Sequence, residues 1–208
     1  DFKIHILNYS ILKFSDYAFK TQTKINFHII GSGEFEKILN LDAQNQYFQI
    51  TKVGALEKDI VDKYLEKNID AMFSMGTSAL DGARLGLPVV LLDQSINKIK
   101  DGYIFKFLFD SKDFDLGHPI SNSDFKIGNE TLENIISEII KNYKDVSKKT
   151  LDYYIENHSI ESVSKKLLNL INNNSFYSLN DIDKSLMRLS LSRKLYLFYL
   201  KNIKKSYY

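Results

Sequence analysis

Hydrophobic residues in the first ninety positions follow two alternating periods. Short runs that alternate apolar and polar residues are separated by stretches with the three- to four-residue spacing of amphipathic helices. The predicted strands cover residues 2–7, 25–30, 47–53, 69–75 and 88–93, and the predicted helices cover 11–20, 34–41, 56–67 and 78–85. Because the connections are too long for hairpins, this order predicts an α/β fold: a Rossmann-like parallel sheet with helices on both faces.

The second half of the chain is predicted to be mainly helical. Residues 94–129 are rich in Asp, Ser and Gly, with one further strand candidate at 103–109, and helical spacing returns at 132–143, 146–156 and 160–171. Ser159 is the expected N-cap of the last of these helices. A final helix is predicted at 182–204. The domain prediction is therefore a Rossmann-like domain over 1–175 followed by a basic amphipathic helical extension over 176–208.

Composition narrows the class of protein. The 208 residues include no Cys, which excludes a disulfide scaffold and Cys-ligated metal sites, and the 44% of hydrophobic residues suffice for a packed core. No apolar run is long enough for a membrane-spanning helix. Charge is uneven: residues 184–208 carry seven basic and no acidic residues, whereas the preceding 183 residues carry 21 basic and 26 acidic ones.

Glycine-containing turns follow three of the predicted strands. In an open parallel sheet, ligands bind beyond the carboxyl ends of the strands, where helices begin. The turns are Gly31-Ser32-Gly33, Gly54, and Gly76-Thr77-Ser78. The first turn is not a dinucleotide fingerprint, since its third glycine is replaced by Glu36. A tight turn without any ligand explains Gly31-Ser32-Gly33 equally well.

The third turn is the most informative. Gly76 permits a close backbone approach, and the amides of residues 77–79 at the start of the next helix would cradle a phosphate. Asp81 lies one turn further along, on the same helix face as Thr77 and Ser78, where a carboxylate suits ribose hydroxyls. The alternative is that Thr77 and Ser78 only cap the helix and that Asp81 only favours its dipole.

The segment around this turn, Gly76-Thr-Ser-Ala-Leu-Asp-Gly-Ala-Arg-Leu-Gly-Leu-Pro-Val89, together with the two preceding glycine turns, resembles the nucleotide-sugar-binding C-terminal domain of GT-B glycosyltransferases. The resemblance covers about residues 1–175 and is most specific over 74–90. It implies that Asp81 holds the ribose and that Gly76, Thr77 and Ser78 face the diphosphate. It also implies that Gly31, Ser32 and Gly33 lie near the same phosphates, and that Gly54 and Leu56 border the base.

Two departures from that family pattern limit the comparison. Phe73 occupies the place of a second Glu that many retaining members carry, and Asp81 stands where Glu is usual. Family members commonly neutralise the diphosphate with an Arg and a Lys after the first strand. Here that region offers only Lys13 and Lys20, of which Lys13 is the candidate. No catalytic residue is assigned, and the nucleotide-sugar is expected as substrate, with no cofactor and no metal.

The resemblance implies half of an enzyme. In GT-B enzymes two Rossmann-like domains close over the donor, so we expect this chain to be the donor-binding half, with an N-terminal domain as its partner. It would bind nucleotide-sugar weakly and transfer nothing alone. The complete enzyme would transfer a sugar to a glycan or lipid-linked acceptor in bacterial surface-polysaccharide biosynthesis. Alternatives are a sugar-nucleotide 2-epimerase, a polyol-phosphate polymer transferase, or a non-catalytic nucleotide-binding or assembly module.

Other candidate sites receive weaker support. The Asp-x-Asp triplets at 113–115 and 181–183 resemble a metal-binding signature, but loop solvation and helix capping are the preferred interpretation. The four histidines, His5, His28, His118 and His158, show no ligand spacing, so no zinc site is expected.

The basic tail has two interpretations. Residues 184–205 could lie on an anionic membrane surface, or they could pack against the N-terminal domain or a second copy of the chain, which is the preferred interpretation. Nucleic acid is not an expected partner, since most of the chain is acidic. The expected location is cytoplasmic, with peripheral contact at the inner face of the membrane as the alternative.

Overall fold

The structure, a computed structural model, describes residues 2–112, 114–125 and 131–173, together with Arg193. Contacts divide the chain into two units, Asp1–Val163 and Ser164–Tyr208. The fold is mixed α/β. Its helices and strands, in chain order, are α1 Ile4–Thr21, β1 Ile25–Ile30, β2 Phe48–Gly54, α2 Lys58–Asn68, β3 Met72–Ser74, α3 Thr77–Arg84, β4 Val89–Leu91, β5 Lys106–Phe107, α4 Thr131–Asn157 and α5 Ile160–Asn173.

The described strands form two small sheets. β1 and β2 pair in parallel, with Ile25 opposite Phe48. β3 and β4 also pair in parallel, and β5 joins β4 in the antiparallel direction, with Leu91 opposite Lys106. The predicted mixed α/β character is confirmed. The single large parallel sheet is not seen among the described residues, because β3 and β4 are only three residues long and the chain returns from β4 as an antiparallel strand.

Helices cover both faces of β4. Val90 and Leu92 join a hydrophobic cluster that includes Ile11 and Phe14 of α1, whereas Val89 and Leu91 join a second cluster with Ala79 and Ala83 of α3. This division follows from the two-residue period of a strand, which sends successive side chains to opposite faces. The uninterrupted apolar run at 87–92 therefore reads as a strand buried on both sides.

The prediction of a strand at residues 2–7 is wrong, because these residues lead into α1. The buried residues of α1 recur at the three- to four-residue spacing of a helix face: Ile4, Ile11, Phe14 and Ala18. The centre of the Phe14 ring lies 4.9 Å from the centre of the Phe73 ring on β3 and 5.2 Å from the centre of the Phe27 ring on β1. One helix therefore covers strands of both sheets.

The C-terminal helices largely follow the prediction. The two helices predicted at 132–143 and 146–156 form the single element α4, which is interrupted at Asn142 (φ −125°, ψ 33°). The N-cap prediction for α5 is confirmed, since the Ser162 amide donates to the Ser159 hydroxyl at 3.1 Å. The helix predicted at 182–204 lies outside the described residues. Among the described helices, none is long and apolar enough to cross a membrane.

Candidate functional site at the carboxyl ends of β3 and β4

The start of α3 is built on Gly76, which directly follows β3 and Met75. Gly76 has φ 63° and ψ −148°, a conformation that favours glycine, and it occupies the N-cap position, where it has no side chain to cap the helix. A Cβ at this position would meet no atom within 4 Å. Thr77 and Ser78 are exposed. A side chain at position 76 would therefore meet open space. Of the three amides predicted to cradle a phosphate, that of Ala79 is not available, because it donates to the Gly76 carbonyl at 3.1 Å.

Asp81 lies on the next turn of α3. Its side chain is 47% exposed, and its Oδ1 lies 3.9 Å from the Arg84 guanidinium. Arg84 in turn donates to both carboxylate oxygens of Asp62 on α2, at 2.9 and 3.0 Å. Asp81 is accessible to a ligand, and its one ion pair among the described residues is with Arg84, toward the C-terminal end of the helix. Its role with ribose stays a prediction.

The two earlier glycine turns meet at the carboxyl ends of β1 and β2. The Gly31 amide donates to the Gly54 carbonyl at 2.8 Å, and a Cβ at either position would meet no atom within 4 Å. Ser32 and Gly33 are exposed, and Leu56 is half-buried between β2 and α2. Gly31 and Gly54 thus meet at the edge of the β1–β2 sheet, whereas Gly76 follows β3 in the other sheet, and the roles of this group with phosphate and base stay predictions.

Lys13 is already engaged. Its ammonium lies 2.8 Å from the Asp101 carboxylate, in the β4–β5 connection, and 5.5 Å from the centre of the Tyr9 ring. The hydrogen bond to Asp101 raises the pKa of Lys13. Lys20, the other candidate, pairs with Glu133 at 3.0 Å. A diphosphate would therefore have to compete with Asp101 for Lys13.

A group of charged and polar side chains, which we call the polar cluster, lies just beyond β4. Its members are Asp93, Tyr103, Lys106, Asp115, His118 and Asp124. Asp93 is its buried centre, with a side chain that is 1% exposed. The Tyr103 hydroxyl donates to Asp93 Oδ2 at 3.0 Å, the Lys106 ammonium lies 3.3 Å from the same oxygen, and the His118 amide donates to Asp93 Oδ1 at 3.1 Å. Burial and the charge of Asp93 raise the pKa of Tyr103, so its hydroxyl stays protonated as a donor.

The His118 ring is held by three carboxylates. Its Nδ1 lies 2.8 Å from Asp115 Oδ2 and 3.3 Å from Asp93 Oδ1, and its Nε2 lies 3.1 Å from Asp124 Oδ1. Burial lowers the pKa of His118, but these three acids together outweigh burial and raise it above the ordinary value. The imidazolium form, which donates from both nitrogens, fits this setting.

The acids around His118 respond in the opposite direction. Burial raises the pKa of Asp115, but hydrogen bonds from His118 and from the Gly117 amide, with the charge of Lys106, outweigh it and lower the pKa. Burial also raises the pKa of Asp124, but hydrogen bonds from Ser121 and His118 outweigh burial, so the net effect is a lowered pKa. The raised pKa of His118 and the lowered pKa values of Asp115 and Asp124 both favour the ionised pairs.

Close packing brings this cluster to the start of α3. The Gly76 amide donates to the Leu116 carbonyl at 2.6 Å. A Cβ on Gly117 would lie 2.5 Å from the Leu92 carbonyl oxygen and 3.2 Å from the Met75 Cβ, so only glycine fits there. The loop that carries His118 thus touches both the residue before Gly76 and Gly76 itself.

Three members of the polar cluster could hold a metal ion. Asp93, Asp115 and His118 each offer one ligand atom, and these atoms lie within 4.8 Å of one another. The Lys106 ammonium, however, lies 3.3 Å from Asp93 and 3.7 Å from Asp115 and already neutralises them. A metal would have to displace Lys106, so the geometry favours an ionic network, and the expected absence of a metal stays a prediction.

Sequence reasoning missed most of this cluster. Asp115 was assigned to loop solvation, yet its Oδ1 accepts a hydrogen bond from the Gly117 amide at 2.8 Å and its other oxygen binds His118. His118 was set aside for want of ligand spacing. Asp113, Asp181 and Asp183, the other members of the two Asp-x-Asp triplets, lie outside the described residues. The one available signal was Asp93, an acidic residue at the end of a buried strand.

Comparison of the chain with protein-family models, with curated proteins and with solved structures finds no match. The functional argument therefore rests on the residues and geometry described above.

Proposed function

We propose that this chain is the donor-binding half of a GT-B glycosyltransferase and that the start of α3 binds the diphosphate of a nucleotide-sugar. The observation that carries the proposal is Gly76. It provides an N-cap without a side chain at the carboxyl end of a parallel strand, and a Cβ added to it would meet no atom within 4 Å. This is the position at which open α/β sheets bind phosphate groups.

The proposed chemistry is electrostatic. When the bond between sugar and diphosphate breaks, negative charge develops on the leaving diphosphate. Backbone amides and the positive end of the α3 dipole would stabilise that charge without having to reorganise.

The remaining site residues have supporting roles. Asp81, exposed one turn into α3, would accept hydrogen bonds from the ribose hydroxyls. The outer phosphate and the base would lie at the carboxyl ends of β1 and β2, bordered by Gly31, Ser32, Gly33, Gly54 and Leu56. Transfer to a glycan or a lipid-linked acceptor would require a second domain, so we expect binding without turnover from the 208-residue chain.

The decisive test places a negative charge where the phosphate would bind. Thr77→Asp adds a carboxylate in the first turn of α3, where the helix dipole favours it by about 0.3–1 kcal/mol, so the fold is not weakened. The same carboxylate repels a diphosphate, and we expect affinity for UDP, GDP or CDP to fall at least about tenfold. Isothermal titration calorimetry measures the affinity and thermal unfolding measures the stability.

The matched control is Gln22→Asp. Gln22 ends α1 in a left-handed conformation that Asp tolerates, and it precedes β1, at the opposite strand ends from the site. It changes the net charge equally and is expected to leave nucleotide affinity unchanged. A Thr77→Asp chain that binds nucleotide as tightly as the parent would remove the start of α3 from the site.

A further inference from the structure

Helix α5 has a continuous exposed apolar face. The face consists of Ile160, Val163, Leu167, Leu168, Leu170 and Ile171, which are between 45% and 79% exposed. On a helix with 3.6 residues per turn these positions share one side, and the opposite side carries Glu161, Lys165, Lys166, Asn169 and Asn172. None of the residues of α5 is buried. So wide an apolar stripe, with every member at least 45% exposed, marks an interaction surface.

The net charge of the surrounding sequence indicates which partner this surface binds. Residues 164–208 carry nine basic and two acidic residues, whereas residues 1–163 carry 19 basic and 24 acidic ones. A second copy of the segment would bring an equal positive charge against the first and repel it. An anionic lipid surface offers both the opposite charge and an apolar layer for the leucines.

We propose that α5 lies in the interface of an anionic lipid bilayer, with its apolar face toward the acyl chains, and that the net positive charge of residues 164–208 strengthens its attraction to the headgroups. This inference is independent of nucleotide binding, because it concerns a different part of the chain and a different ligand.

The first test is vesicle flotation with the 208-residue chain. Vesicles that contain phosphatidylglycerol and phosphatidylcholine in equal parts are compared with vesicles of phosphatidylcholine alone, each at low and high salt. We expect binding to the anionic vesicles at low salt, weaker binding at high salt, and little binding to the neutral vesicles. Equal binding to both kinds of vesicle, or binding that ignores salt, would overturn the proposal.

The second test removes part of the apolar face. Leu167→Gln with Ile171→Gln keeps helix propensity and changes side chains that are about half exposed, so we expect the chain to fold as before and to bind anionic vesicles at least about tenfold more weakly. The control is Asn169→Gln with Asn172→Gln, two changes on the polar side of the same helix, which should leave vesicle binding unaltered.

Two further outcomes exclude other occupants of the face. Analytical ultracentrifugation without lipid tests for a second copy: a dimer that the Leu167→Gln, Ile171→Gln chain fails to form would overturn the membrane assignment. Thermal unfolding tests for another part of the same chain. If the double variant loses stability while vesicle binding is unchanged, the face packs within the protein and the proposal fails. UDP, GDP and CDP titrations judge the nucleotide proposal separately.

Discussion

Asp93 is the buried carboxylate on which the cationic side chains of Lys106 and His118 converge. Asp93→Asn keeps the shape of the side chain but removes its charge and turns one oxygen into a donor that faces other donors. We expect the free energy of unfolding to fall by about 2–4 kcal/mol, because two cations lose their buried partner. Urea unfolding followed by circular dichroism measures this change.

Asp101→Asn is the matched control for Asp93→Asn. It makes the same substitution in the ion pair with Lys13, but the Asp101 side chain is 88% exposed, so water can replace the partner. We expect a much smaller loss of stability than for Asp93→Asn. Equal losses in the two variants would show that the burial of Asp93 contributes nothing beyond an ordinary surface pair.

A site residue can be found from sequence when local structure sets its position, and it is missed when tertiary contacts do. Asp93 follows a buried strand, so the rule that sites lie beyond strand ends applies to it, although it is not among the predicted site residues. Its partners Asp115 and His118 are more than twenty residues away and reach it because Gly117 packs against the Leu92 carbonyl. No local periodicity records such a contact. The same holds for Lys13, whose partner Asp101 comes from a connection without regular structure.

At the scale of elements, the sequence patterns place one strand and one helix closely. β1 matches its prediction at both ends, and the predicted helix at 78–85 differs from α3 by one residue at each end. The prediction of a strand at residues 2–7 is wrong because Phe2, Ile4 and Ile6, taken alone, also fit the two-residue period of a strand. The same isoleucines also begin the longer helical series through Ile11, Phe14 and Ala18, which buries a whole helix face and therefore prevails.

Packing of α1 against both sheets can be tested at Phe14. Its ring contacts the rings of Phe27 on β1 and Phe73 on β3, and its side chain is 7% exposed. Phe14→Ala should lower the free energy of unfolding by about 3–5 kcal/mol, through lost burial and the cavity left behind. Phe19→Ala, on the same helix but 62% exposed, should change it by no more than about 0.5 kcal/mol. Urea unfolding of both variants checks this, and similar losses would contradict the packing.

At the scale of the whole molecule, net charge varies along the chain, and charged side chains are also grouped by folding. The sequence alone shows an acidic first part and a basic last part, because net charge needs no knowledge of the fold. It does not show that inside the acidic part Lys106 and His118 are gathered against Asp93, Asp115 and Asp124. That gathering depends on the antiparallel return of β5 and on the loop behind it, which tertiary packing decides.

This ionic network links the stability of the fold to pH. Although burial lowers the pKa of His118, its carboxylate partners raise it above 6.5, so its contribution to folding is complete below that pH and is lost as pH rises through the raised pKa. The lowered pKa values of Asp115 and Asp124 give the opposite sign. Their contributions are present above 3.8 and are lost as pH falls through the folded values. The network therefore stabilises the protein most between these limits.

His118→Gln isolates the upper limit of that range. Glutamine retains hydrogen-bonding groups but carries no charge, so the parent should exceed the variant in free energy of unfolding by a constant amount below about pH 6.5 and by a shrinking amount as pH rises further. Lys106, which faces the same carboxylates, is present in both chains. Urea unfolding of both chains from about pH 5 to about pH 9 measures the difference. A difference that is independent of pH, or that grows above pH 7, would show that the folded state does not favour the imidazolium.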